Sequence, residues 1–200
     1  MADTLKELVV DGATAWRRWL AREHERSPGV WLVLDKKGGS VTRLTYADAL
    51  DEALCFGWID GQASPRDQES YRQRFTPRRP RSAWSARNVE RIGRLEREGR
   101  MQTSGRAAVD RARADGQWNR AYASPSKAKV PEDLARALKE DAKASAAFEG
   151  LNAANRYAIL YRLETAKKAD TRARRLETCV EMLRRNETFH PQKQKRPRNN

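Results

Sequence analysis

Arg72, Arg74, Arg78, Arg79 and Arg81 fall within one short stretch and lead directly into Ser82, Trp84 and Ser85. Arginine forks hold phosphate or carboxylate oxygens in pairs. The start of a serine-capped helix adds unpaired N–H groups and a favourable dipole. The segment therefore reads as an anion cradle. Arg74, Arg78 and Arg79 would hold the anion, and Ser85 and Asn88 would donate from the helix start. No phosphate-loop consensus is present. A solvated basic surface, paired internally with Asp67, Glu69 and Glu90, accounts for the same residues equally well.

Asp60 stands between Ile59 and Gly61 with Gln62 beside it. A carboxylate in an apolar, aromatic setting can serve as acid or base. The plainer account makes it a turn cap or the partner that orients one of the arginines. No catalytic residue is assigned, and Asp60 is the candidate if there is one. Tyr71 and Trp84 could stack on a base or line a pocket; both residue types also serve in cores. The expected ligand-binding set is Asp60, Arg74, Arg78, Arg79, Trp84, Ser85 and Asn88.

Other chemistries find little support. His24 and His190 are the two histidines, and neither has metal-ligand spacing. A Ser-His-Asp triad would have to use one of them. Cys55 and Cys179 lie far apart, outside any CxxC, and read as core residues in a reduced compartment. The sequence therefore calls for no metal and no cofactor.

The chain has 200 residues and a net charge of +14. That length suits one large domain or two small ones. Charge is uneven along it. Residues 1–65 carry 8 basic and 10 acidic residues, a net of −2. Residues 66–120 carry 15 and 7, a net of +8, and residues 167–200 carry 11 and 4, a net of +7. Two basic blocks attract nucleic acid, nucleotides, phosphorylated metabolites or anionic membrane surfaces. In the second block, Lys167, Lys168, Arg172, Arg174, Arg175, Arg184 and Arg185 could track a phosphate backbone. Interspersed acids make a solvated helix face the simpler reading. No apolar run reaches the ~20 residues that span a bilayer, and the acidic start lacks signal-peptide character. Cytoplasmic residence is the expectation. The partners expected are an anionic small molecule or nucleic acid; protein partners are unknown.

The elements that would position these residues follow from periodicity. Asp11 is expected to cap a helix to about Glu25 that buries Trp16, Trp19 and Leu20. Val30–Leu34 reads as a strand, Asp35–Ser40 as a hairpin turn and Val41–Leu44 as a returning strand. Thr45, with Asp48 three residues on, predicts a capped helix to about Phe56. Gly57–Gly61 reads as a short strand or tight turn, and Tyr71–Phe75 as another strand. From Ser85 a helix buries Val89, Ile92 and Leu95 and carries Arg87, Arg91 and Arg94 on another face. Ser104–Ala114 is a further helix, and Asp115–Lys129 a loop. Helices follow from Pro131, Asp141, Asn152 and about Asp170, with Leu176, Cys179, Val180 and Leu183 buried in the last.

Several of these segments have a family character. Gly29-Val30-Trp31-Leu32, Thr45-Tyr46 with Ala49-Leu50, CFGWIDGQ (55–62) and QRFTPRRPRSAWSARNV (73–89) together resemble the YdeI/OmpD-associated, bacteriocin-protection (OmdA-like) family. NRYAILYRLETAKKADTRARRLETCVEML (155–183) resembles that family's C-terminal helical region. The resemblance runs from about residue 14 to 190. It implies a bacterial protein tied to envelope stress and antimicrobial-peptide resistance. It implies no established reaction and carries over no catalytic residue.

The expected fold is α+β and predominantly helical. Residues 1–120 would form a small unit of β-hairpin or sheet with helices, bearing the Trp/Asp/Arg-rich segment. Residues 130–188 would form a C-terminal helical bundle, and residues 189–200 a disordered basic tail. The function expected is binding of a phosphate-bearing ligand in an arginine-rich pocket. The alternatives are a nucleic-acid binder and an enzyme acting on a phosphorylated substrate with Asp60 as acid or base.

Overall fold

A computed structural model describes residues 5–123 and 128–192. The fold is α+β and mostly helical, and the chain divides after Ala121 into two compact units.

The first unit holds the sheet. Strand β1 (Glu7–Leu8) pairs in parallel with β2 (Val30–Asp35). Strands β3 (Trp58–Pro65) and β4 (Ser70–Pro77) complete the order β1-β2-β4-β3. The expected return strand at 41–44 does not form, and β2 pairs antiparallel with β4 instead. Side chains meet the backbone needs of that stretch: the Asp35 carboxylate accepts from the Val41 and Thr42 amides, and Thr42 Oγ1 donates to the Val10 carbonyl. A loop whose polar groups are satisfied locally has no need of a ladder.

Helix α1 (Ala13–Glu23) starts one residue later than expected. Gly12 occupies the cap position, and the Asp11 carboxylate instead forms an exposed bidentate pair with Arg43. Helix α2 (Tyr46–Cys55) has the predicted cap, with Thr45 Oγ1 accepting from the Asp48 amide. Helices α3 (Ala86–Arg97) and α4 (Thr103–Ala114) follow the sheet. Alternation along β4 sends Tyr71, Gln73 and Phe75 toward the helices, in register with Leu34, Leu32 and Val30. Trp16 anchors the core between Phe75, Trp19 and Trp58, with ring centroids 5.2–6.4 Å away. Its indole N–H donates to the Ala49 carbonyl, so the largest core side chain leaves no polar atom unmet. Gly105 lets α4 touch the end of α2: a methyl there would come within 2.1 Å of the Cys55 carbonyl oxygen.

Helix α2 also buries two acids that a stripe of Leu50, Ala53 and Leu54 did not announce. Asp51 and Glu52 are only 6% and 5% exposed. Asp51 accepts from Arg91 and Arg94 of α3, and Glu52 from Arg17 of α1 and from Arg100. The arginines expected as a basic stripe on α3 thus dock that helix onto α2.

The second unit contains α5 (Glu132–Glu140), α6 (Ala142–Gly150), α7 (Ala153–Glu164) and α8 (Ala169–Arg184) among the described residues. Pro131 caps α5 rather than entering its first turn. Asp141 and Asn152 cap α6 and α7 as expected, accepting from the Ala144 and Asn155 amides. Leu134, Phe148, Leu163, Cys179 and Leu183 lie in its core. Asp133 receives a bidentate Arg172, which also donates to the Leu163 carbonyl. Residues 189–192, expected in a disordered tail, are held in place. Phe189 packs on the core, and Asn155 exchanges hydrogen bonds with the His190 backbone. The remainder of the expected tail, 193–200, and part of the expected 115–129 loop, 124–127, lie outside the described residues.

Both cysteines are buried free thiols, and burial pushes both upward in pKa. Among the described residues, no helix is long and apolar enough to cross a membrane.

Asp51→Ala should destabilise the first unit by about 2–4 kcal/mol, because two guanidinium groups lose a buried carboxylate. Denaturant unfolding followed by tryptophan emission measures this. In the second unit, the Arg172 guanidinium holds Asp133 below the usual carboxylate range. A depressed folded-state pKa gives stability that is fully present above about pH 4 and is lost as pH falls through the folded value. The gap in thermal midpoint between the native chain and Asp133→Asn should be constant near neutral pH and close in acid.

Candidate functional site

The structure separates the members of the expected ligand-binding set. Asp60 pairs in register with Phe75 and so faces the helices. Its carboxylate accepts from the Tyr46 hydroxyl at 2.6 Å, at the start of α2. Burial, reinforced by this carboxylate, raises the Tyr46 pKa, so the phenol remains a donor. Arg74 precedes Phe75 on β4 and therefore projects to the other face of the sheet, opposite Trp31 of β2. Asp60 thus orients Tyr46, and the expectation that it orients an arginine gives way to this geometry. A bulge between Asp60 and Ala63 leaves the Gly61 carbonyl off the ladder. The buried Gln73 amide donates to that carbonyl at 2.7 Å.

Arg78, Arg79 and Trp84 lie in the loop after β4. The Arg78 amide donates to the Gly57 carbonyl, which ties the loop to the start of β3. Its guanidinium lies 3.8 Å from the centroid of Trp84. Nη1 of Arg78 donates to Ser82 Oγ and to the Ala83 carbonyl, at 3.1 and 3.0 Å. Trp84 is buried and meets Trp118 edge-on, so it is core on one side and a platform for Arg78 on the other. Between them, Arg81 adopts the left-handed region at φ 60°, a conformation that costs a non-glycine residue about 1–2 kcal/mol. Ser85 Oγ accepts from the Asn88 amide and so acts as the cap of α3. Asn88 itself is buried. Neither Ser85 nor Asn88 lines the depression beside the loop.

That depression is closed on its far side by α4. Arg78, Arg79, Arg81, Trp84, Arg111 and Asp115 line it. Its enclosed volume is about 10 Å³, room for about one water. A ligand there rests against the surface rather than inside the protein. Among the described residues, no carboxylate lies within ion-pairing distance of Arg79, Arg81 or Arg111. Asp115 Oδ1 accepts from the Gln117 amide. Asp115 is the acid among the residues that line the depression. Arg111 was beyond the sequence reading, because nothing in a helical run of Arg and Ala says which loop it will face.

Elsewhere several arginines of the basic blocks are paired with acids. Arg66 and Arg72 lie near Glu7, Arg113 meets Glu96 and Asp110, and the α2 acids take Arg91, Arg94 and Arg100. In the second unit, Arg172, Arg184 and Arg185 pair with Asp133, Asp141 and Glu181. Among the described residues, no group of three or more His, Cys, Asp or Glu side chains comes together to hold a metal ion.

Two family matches divide the chain much as its fold does. Residues 8–108 match a domain of unknown function (DUF8412). Residues 127–186 match the family described as bacteriocin-protection, YdeI or OmpD-associated. The family resemblance read from the sequence is thus matched in the C-terminal helices, while the segment 55–89 falls within the domain of unknown function. No curated protein and no solved structure matches the chain.

Proposed function

We propose that this chain, which carries the domain DUF8412 and belongs to the bacteriocin-protection, YdeI or OmpD-associated family, binds a phosphate-bearing anion. The site is the depression between the 78–84 loop and α4. One observation carries the reading: Arg78, Arg79, Arg81 and Arg111 converge there, and four guanidinium groups face one acid, Asp115, among the residues that line the depression. Arg78 is already fixed by Trp84, Ser82 and Ala83, so its orientation costs little on binding. The shallow shape suits a terminal phosphate presented from outside rather than an enclosed metabolite. The family description names bacteriocin protection, and in this reading the bound anion serves a stress and antimicrobial-resistance role in the cytoplasm, with which the two free buried thiols accord. No reaction is assigned, because Asp60 commits its carboxylate to Tyr46 and does not line the depression.

A nucleic-acid reading draws on a different surface. Trp31, Arg72 and Arg74 share the sheet face turned away from the helices, with the Arg72 guanidinium 5.6 Å from the Trp31 ring centroid. Stacking rings beside cations suit single strands.

Thermal shift with inorganic pyrophosphate and with short oligonucleotides separates the two. Pyrophosphate should raise the melting temperature at moderate salt, and the double variant Arg79→Ala, Arg111→Ala should weaken its binding about tenfold or more. Asp60→Asn should leave the response unchanged. A response to oligonucleotides alone that vanishes with salt would reject the small-anion site.

A further inference from the structure

The second unit contains a groove of about 430 Å³ along α7 and α8, lined by Ala154, Tyr157, Ala158, Tyr161, Arg162, Thr165, Arg175 and His190. That volume lies within the range of small-molecule sites, about 300–1,000 Å³. Its composition is specific. The two alanines fall one turn apart on α7 and leave the space open. Tyr157 and Tyr161 form an aromatic wall, with ring centroids 5.9 Å apart. The wall is held rigid: Tyr157 Oη donates to the Ala123 carbonyl, and Tyr161 meets Tyr122 edge-on at 4.9 Å. Burial first, then the neighbouring Tyr122 and Glu164, push the Tyr157 phenol up to about 12. Tyr157 therefore carries no negative charge at neutral pH.

The cationic end is equally ordered. Arg175 Nη1 donates to the Arg162 carbonyl at 2.7 Å and to Thr165 Oγ1 at 3.4 Å. Among the described residues, its Nε and Nη2 hydrogens have no partner. Those two atoms form the edge of a guanidinium that takes a carboxylate bidentately. Arg162 stacks on Phe189 at 4.1 Å and adds a second positive charge at the rim. Glu164 lies on the same helix and is engaged by the Ala123 amide.

We propose that this groove binds a small aromatic carboxylate, its ring against Tyr157 and Tyr161 and its carboxylate on the Nε–Nη2 edge of Arg175. The site is separate from the depression at Arg78–Arg111 and takes a different ligand. An aliphatic acid would satisfy the arginine but not the tyrosine faces. A neutral aromatic would fill the groove and leave the guanidinium edge unused.

Calorimetric titration of the full chain with 2-naphthoate tests this. Saturable binding is expected, weakened about tenfold in Arg175→Gln and unchanged in Arg79→Ala. Cyclohexanecarboxylate should bind much more weakly, and so should methyl 2-naphthoate. The ester comparison needs no variant, so it stands even if Arg175→Gln fails to fold. Absence of saturable heat at millimolar 2-naphthoate would overturn the proposal. So would equal binding of the ester or the cyclohexane acid, or loss of binding in Arg79→Ala.

Discussion

Two adjacent buried carboxylates organise the first unit. Asp51 and Glu52 sit on α2 among Leu50, Ala53 and Leu54, and each must be met by positive charge where water is scarce. Arg91 and Arg94 reach Asp51 from α3; Arg17 and Arg100 reach Glu52 from α1 and from the turn after α3. Hydrophobic contact alone would let α3 slide along α2, because burial is not directional. Charge pairs with fixed donors set one register. Setting α3 in this way also sets the start of that helix, and with it the Ser85 cap and the loop that returns from β4.

The same pairing shapes the electrostatic surface. Some of the arginines are neutralised by acids, at buried Asp51 and Glu52 and at the more exposed Glu7 and Glu96. What remains concentrated is the cluster of Arg79, Arg81 and Arg111 around the Arg78–Trp84 stack. A uniform basic surface would favour polymers through counterion release. A local knot of guanidinium groups favours a compact anion. Arg81, at the tip of that loop, takes the left-handed region, where backbone strain often marks a functional site.

The sequence showed the elements better than it showed their partners. Thr45, Ser85, Asp141 and Asn152 were readable as caps, because capping is decided within four residues. The strand at β4 was readable from its alternation. The 41–44 strand was misplaced because Asp35 and Thr42 satisfy that backbone through side chains, which apolar patterning does not register. The candidate site was half legible. Arg78, Arg79 and Trp84 do come together. Asp60 and Arg74 separate because residues paired across β3 and β4 fix which face each side chain takes, and a bulge at Gly61 intervenes. Arg111 joins from a helix whose docking depends on a glycine contact with the Cys55 carbonyl, a long-range fact with no local signal.

The central claim is that anion binding is local to the saucer between the 78–84 loop and α4. Side-chain Nε resonances of the arginines, followed by NMR during titration with inorganic pyrophosphate, test it most directly. The account predicts saturable shifts at Arg78, Arg79, Arg81 and Arg111 while Arg91, Arg94 and Arg172 stay still. Small, unsaturable shifts spread over all exposed arginines would contradict it and reduce the cluster to ordinary basic surface.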